Sequence, residues 1–371
     1  MLAEQQLELQ SLSRGLVSLG YFPGATVAIG TASQRHSFCV GGTTYDQNFD
    51  VSLETLYDCA SLTKVIVTTT LVLQLVAAGR ITLDTKVSSI LPEFRHPEVT
   101  VQHLLTHTSG LPAMLGVQAD LFPLPLAQRI ARIKERVYGA DLVAPPGVSV
   151  TYSDIGFVAL GFLVEAIYGE PISVVARRQI FEPLGMNDTY FGCELTPDLV
   201  ARCAPTELSP YLGRVIQGEV HDENGWQMGG AAGHAGLFST ADDVGRFAQM
   251  ILRGGELDGY QCLPPDLVTK LFEPLTPEGE IKRSLGYLAF DTRSQFSDSL
   301  NSRASILHTG FTGTSILIDK GKDIFIVILS NRVHPTRENQ LLVANRKRIH
   351  HEILQILTSA AQVPPVETPA T

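Results

Sequence analysis

The sequence carries little charge and no excess of the positive sign. Of 371 residues, 18% are Asp, Glu, Lys or Arg, and the formal net charge is −10. A nucleic-acid binder presents a basic face, so that class is excluded. Cysteine is sparse: Cys39, Cys59, Cys193, Cys203 and Cys262 are scattered, with no Cys-x-x-Cys pair. An odd, dispersed set suits a reducing compartment better than a disulfide framework. The commonest place for such residues is the core. Histidines are not grouped at metal-ligand spacing either. His221-Asp222 and His234 lack a further ligand, so neither a zinc site nor a cofactor is expected. No apolar run reaches the length that spans a bilayer. Val65–Ala78 is the longest candidate, and it is too short and holds three threonines and a glutamine. The first ten residues have acids where an export signal has bases. The expectation is a cytoplasmic protein without a transmembrane segment. No internal repeat is present.

What the chain does have is apolar residues, 44% of the total, enough for one large core. Residues 3–20 place leucines at helical spacing. Residues 25–30 and 37–41 read as paired strands. A largely apolar helix follows from residue 65 and stops at Gly79. The middle reads as helices over 101–106, 126–138, 155–168 and 172–180. Residues 181–236 are long and irregular, and a segment of that size inside a globular protein is more often functional than idle. Thr240-Ala-Asp-Asp243 is a capping box that opens a helix to about Arg253, and 264–272 is a further helix. Strands are expected at 284–290, 305–308, 314–319 and 324–330, and a last helix at 338–359. The pattern predicts an α/β (α+β) fold. One antiparallel sheet is built from both chain ends and flanked by helices, with a mostly helical region inserted. The boundaries are a single catalytic domain over 1–359, its α/β part about 1–60 and 240–359 and its helical part about 61–239. A disordered, proline-bearing tail covers 360–371.

Three short motifs carry chemistry. Ser61 and Lys64 stand at i and i+3 before the apolar helix, so hydroxyl and amine share a face. The helix end favours negative charge beside Ser61. Alone, the tetrad also fits a serine that caps a buried helix. Tyr152-Ser153-Asp154 precedes a second apolar helix, where Ser153 or Asp154 can serve as N-cap. If Tyr152 reaches Ser61, a neighbouring ammonium favours its phenolate, which can take the serine proton. His308-Thr309-Gly310 ends a strand ahead of Phe311. It reads either as a strand-end turn or as a cleft edge with a backbone N–H aimed at an oxyanion. His107 reads as a turn histidine, and His234 as a cleft-lining residue.

The ordered set Ser-x-x-Lys, Tyr-Ser-x, His-Thr-Gly resembles the serine β-lactamase and penicillin-binding-protein family, in its class C-like branch. Leu104-Leu-Thr-His-Thr-Ser-Gly-Leu-Pro, Pro145-Pro-Gly and Ala235-Gly-Leu-Phe-Ser-Thr-Ala-Asp-Asp-Val are similar to stretches of that branch. Val220-His-Asp-Glu-Asn, Gly229-Gly-Ala-Ala-Gly-His-Ala-Gly and Ser330-Asn-Arg-Val-His-Pro-Thr look like a subgroup near penicillin-binding protein 4B and D-alanyl-D-alanine carboxypeptidases. The resemblance runs from about residue 15 to 358. It implies a β-lactamase/transpeptidase-like fold, Ser61 as the acylated nucleophile, and Lys64 with Tyr152 as the proton-shuttling pair. It places Asp154, His308, Thr309, Gly310 and Phe311 along the substrate, with the N–H groups of Ser61 and Phe311 as the oxyanion hole. The implied activity is a serine hydrolase of D-amino-acid peptides or amides, or of β-lactams. A cytoplasmic esterase of the same fold is one alternative, and a non-catalytic penicillin-binding-like binding protein is another. The partner is a small-molecule or peptide substrate and not nucleic acid. Two positions depart from the family pattern. His308 stands where many members have Lys, and is only partly charged near neutrality. Asp154 stands where Asn is commoner, and adds a negative charge near Lys64.

Overall fold

The structure is a computed structural model that describes residues 3–46, 50–294 and 299–359. The proline-bearing tail expected at 360–371 lies outside the described residues. Chain ends and sheet are linked as the pattern predicts. Strands β1 (Gly24–Gly30) and β2 (Arg35–Gly41) come from the N-terminal part. Three short strands follow, β3 (Tyr57–Asp58), β4 (Tyr190–Phe191) and β5 (Leu237–Ser239). A two-residue ribbon pairs β6 (Glu256–Leu257) with β7 (Tyr260–Gln261). The C-terminal part gives β8 (Leu288–Ala289), β9 (Ser305–Thr309), β10 (Ser315–Asp319) and β11 (Ile324–Ser330). The main sheet has the order β2-β1-β11-β10-β9-β8, and its strand pairs are antiparallel.

The pleat sorts side chains to opposite faces. On β11, Ile326 and Ile328 face one core with Leu9, Leu16, Ile349 and Ile353 of the first and last helices. Phe325, Val327 and Leu329 face the other, with Val244 and Phe247 of the helix Ala241–Leu252. The first and last helices are also joined by Gln5 Nε2, which donates to the Ile356 carbonyl at 2.9 Å. The larger core continues into the helical region. The helix Asp154–Tyr168 is buried from Ile155 through Val164, and the apolar helix Lys64–Ala77 lies against it. No single helix among the described residues is long and apolar enough to cross a membrane.

Three expectations change. The strand expected over 284–290 shrinks to β8, because Gly286 takes a left-handed φ of 82° and sends its N–H to Leu105 O. The last helix begins at Leu341, not 338. The irregular 181–236 segment contains strand β4, which joins β3 and β5 in a second, three-stranded sheet. Two-residue strands have no readable period, so their pairing is decided by tertiary contact.

Candidate active site

Ser61 sits in the turn that enters the helix Lys64–Ala77, preceded by Ala60 at φ 47°. A left-handed alanine is strained and persists only where its surroundings fix it. Here they do. Asp58, at the end of β3, accepts from Ala60 N–H at 2.8 Å with one oxygen and from His221 N–H at 2.7 Å with the other. Thr63 Oγ1 donates to Ala60 O at 2.6 Å. The helix opens with a π-type stretch, Lys64–Thr69, a widened turn that recurs at functional sites.

Lys64 is fully buried. Its Nζ donates to Ser61 Oγ at 2.9 Å and to the His234 carbonyl at 3.1 Å, and lies 2.7 Å from Asp154 Oδ1. The last contact is an ion pair without hydrogen-bond alignment. Burial works against the charge on Lys64. Asp154 and then the Tyr152 phenol outweigh it and raise the ammonium pKa above its ordinary value. Lys64 is therefore a fixed cation at neutral pH, 5.1 Å from the centre of the Tyr152 ring.

The Tyr152 motif is held by the 104–113 segment. His107, itself at φ 59°, accepts Ser153 N–H on Nδ1 at 2.9 Å, and its carbonyl accepts Thr151 N–H at 2.9 Å. Ser153 is the N-cap of Asp154–Tyr168: its Oγ accepts Gly156 N–H at 3.1 Å and donates to Pro112 O at 2.6 Å. Asp154 N–H reaches Ala113 O at 2.7 Å. His107 is thus a turn histidine, as its sequence suggests, and also more than that. Its ring lies 4.5 Å from the Tyr152 ring and orients it.

The far edge of the site is the end of β9. Thr312 Oγ1 donates to Asp58 O at 2.7 Å and Thr314 Oγ1 to Cys59 O at 3.0 Å, so the turn after Gly310 is stapled to the approach to Ser61. A Cβ on Gly310 would lie 2.0 Å from Thr314 Oγ1 and 2.6 Å from Cys59 O, which is why only glycine fits. The N–H groups of Ser61 and Phe311 have no acceptor among the described residues. A cleft of about 1440 Å³, its open mouth included, runs over Ser61 and is lined by Tyr152, Asp154, Thr309, Gly310 and Phe311.

His308 departs from expectation. It is buried behind Tyr152, with ring centres 6.1 Å apart, and does not line the cleft. Burial first, then Lys64 and Arg283, push its pKa well below the usual histidine value, so the ring is neutral rather than partly charged. His234 also lies behind the cleft wall instead of lining it. Its Nε2 pairs at 2.8 Å with Asp222, which does face the cleft. Burial opposes a charge on Asp222, but His234 and the Gly225 N–H hold its carboxyl well below the usual range.

Sequence reasoning passed over Arg283 and Arg346. Arg283 is buried, and its guanidinium stands 5.2 Å from the Tyr152 ring centre with Nε and Nη1 unpartnered. A lone arginine 25 residues before the third motif gives no pattern to read. The long irregular segment and the Val220-His-Asp-Glu-Asn and Gly229-Gly-Ala-Ala-Gly-His-Ala-Gly stretches did point to 220–236, but not to the Asp222–His234 pair.

The chain as a whole is similar to known proteins. A family model described as Beta-lactamase matches residues 10–350. A protein of Escherichia coli (strain K12) named "Putative D-alanyl-D-alanine carboxypeptidase" is 30% identical over 322 residues, covering 79% of this chain and 73% of that relative. A beta-lactamase/D-alanine carboxypeptidase from Pseudomonas syringae superposes with a TM-score of 0.73 at 20% identity, covering 95% of this chain and 99% of that one. EstCE1, described as a hydrolase with promiscuous acyltransferase activity, superposes with a TM-score of 0.74 at 20% identity, over 95% and 98% of the two chains. At such identities the two structures speak for the fold alone. With the family model spanning nearly the whole chain, and with a curated relative at that coverage, this protein belongs to the beta-lactamase family.

Proposed function

We propose that the protein is a serine hydrolase that works through an acyl-enzyme on Ser61, with D-amino-acid peptides, related amides or β-lactams as substrates. The observation that carries the reading is the 2.9 Å contact between Lys64 Nζ and Ser61 Oγ, with Lys64 held as an ammonium by Asp154. A lysine locked in its charged form is a poor base, so the proton goes to the oxygen of Tyr152, whose ring centre lies 5.1 Å from the Lys64 ammonium. Tyr152 takes the Ser61 proton as Oγ bonds to the substrate carbonyl carbon. The carbonyl π pair moves to oxygen, where the N–H groups of Ser61 and Phe311 receive it. Collapse of the tetrahedral species breaks the bond to the leaving amine, which collects the proton from Tyr152. Water then repeats the sequence on the ester and returns Ser61.

A second reading, ester hydrolysis, is favoured by one observation. His308 is neutral and out of the cleft, so the third motif offers no fixed cation for a substrate carboxylate. The test is a side-by-side assay of a D-Ala-D-Ala peptide and p-nitrophenyl esters, with labelling by a fluorophosphonate followed by mass spectrometry. The expected result is one adduct on Ser61, lost in Ser61→Ala, together with peptide turnover. Ester turnover alone favours the second reading. An intact protein with no adduct would rule out both and leave a binding protein.

A further inference from the structure

The Phe311 N–H belongs to the same peptide unit as the Gly310 carbonyl, and that carbonyl has an unusual partner. Arg346, from the last helix, donates from Nη2 to Gly310 O at 2.8 Å. Gly313 N–H reaches the same oxygen at 3.3 Å. Arg346 is 6% exposed and, among the described residues, forms no ion pair with a carboxylate. Burial and then Arg332 bring its pKa down to about 9, so it stays charged at neutral pH. Ser315 Oγ, on β10, and His350 Nε2, one turn further along the last helix, are 3.1 Å from each other, and His350 is neutral there. Among the described residues no carboxylate pairs with the guanidinium, and its hydrogen bond points at the peptide that ends in Phe311 N–H.

We propose that Arg346 is a positioning residue of the oxyanion site, polarising the Gly310–Phe311 peptide so that the Phe311 N–H binds a developing oxyanion more strongly. This rests on the acyl-enzyme reading above. The peptide is planar and trans, so its N–H points away from its C=O. Arg346 therefore acts on one side and the reacting carbonyl is received on the other. A charge-assisted hydrogen bond to the oxygen draws electron density from the amide and makes the N–H more positive. In a low-dielectric site such coupled bonds strengthen one another. The peptide is also rigid. Gly310 N–H is taken by Thr314 O at 2.8 Å, and Gly310 is packed against Cys59 and Thr314. A donor held in place before the charge develops loses no energy to reorganisation during the reaction.

The test uses the full chain as wild type, Arg346→Met and Arg346→Lys. Three quantities are read: the rate of Ser61 phosphonylation by a fluorophosphonate, kcat and KM for neutral p-nitrophenyl acetate, and inhibition by phenylboronic acid, whose Ser61 adduct is a tetrahedral anion. Loss of a whole oxyanion donor costs about 100- to 1,000-fold in kcat, and here the donor is weakened but kept, so Arg346→Met should slow phosphonylation and kcat by about 10-fold. Boronate binding should weaken in parallel and KM should stay unchanged. Arg346→Lys, which keeps the charge, should recover most of the loss. Unchanged phosphonylation and boronate binding in Arg346→Met would overturn the proposal. So would a loss seen in KM and limited to carboxylate-bearing substrates, which would make Arg346 an anchor for substrate anions. Should Arg346→Met lack a cooperative melt, Arg346→Lys and Arg346→Gln carry the same comparison, with a parallel loss in the glutamine variant alone as the supporting result. A wild type that takes no label on Ser61 overturns the acyl-enzyme reading itself.

Discussion

In the proposed mechanism Lys64 is the residue on which the chemistry turns, and Asp154 sets its charge. The sequence already placed the two near each other, and the 2.7 Å contact makes the consequence definite. Two opposite charges at this distance shift a pKa by about 1–3 units. Asp154→Asn removes the largest influence raising the Lys64 ammonium, while burial, which lowers it, remains. The basic limb of the kcat/KM profile, where Lys64 gives up its proton and Tyr152 loses its cation, should then move to lower pH by about 1 unit or more. A limb that stays in place would show that it reports some other group. His308 was legible only as a motif position. Which way its ring points, and so whether it is charged, depends on Arg283, Tyr152 and Lys64 arriving from three other parts of the chain. No local pattern encodes that.

At the scale of elements, the sequence carried the helices and strands that bury a whole face, because burial imposes a period. It did not carry how closely they approach. The helix Asp154–Tyr168 crosses the glycine-rich 229–236 loop at Gly161, where a Cβ would lie 2.9 Å from Gly233 N. The loop has no slack: Thr68 Oγ1 donates to Gly233 O at 2.6 Å, and Lys64 Nζ to the next carbonyl, of His234. Gly161 is therefore a contact that sets the distance between the Tyr152 helix and the Lys64 helix. In an unconstrained helix interior, Gly→Ala stabilises by about 1 kcal/mol. Here the sign should reverse. Gly161→Ala is expected to cost about 1–3 kcal/mol, the usual range for overpacking, as a lower urea midpoint with an unchanged m-value. Ser61 phosphonylation should slow as well, because the loop carries an acceptor of Lys64. A stabilised variant with normal labelling would mean that helix and loop part without consequence.

For the whole molecule, the same burial that builds the site sets the response to acid. His107, His308 and His350 are all buried. Burial first, then nearby cations, push the first two well below the usual histidine value, and burial with Arg346 brings His350 to about 3. In the unfolded chain each titrates near 6.5. As pH falls through 6.5, the unfolded state binds protons that the folded state refuses, so stability is present above 6.5 and is lost on acidification. Asp243 works in the opposite sense by one proton: burial raises its carboxyl to about 6, so its contribution is lost as pH rises from the ordinary Asp value toward 6. The sum has mixed signs, and a single-site difference isolates one histidine's contribution. His350→Gln keeps a polar partner for Ser315 Oγ, which contacts Nε2 at 3.1 Å, and cannot take a proton. Its stability relative to wild type should rise as pH drops from 6.5 toward 4, by about 1.4 kcal/mol per pH unit once the unfolded histidine is fully protonated. Urea midpoints at a series of pH values measure this. A difference that stays flat would mean that His350 accepts its proton in the fold, with Arg346 moved aside, and the Gly310 carbonyl would then lose its cation in acid as well.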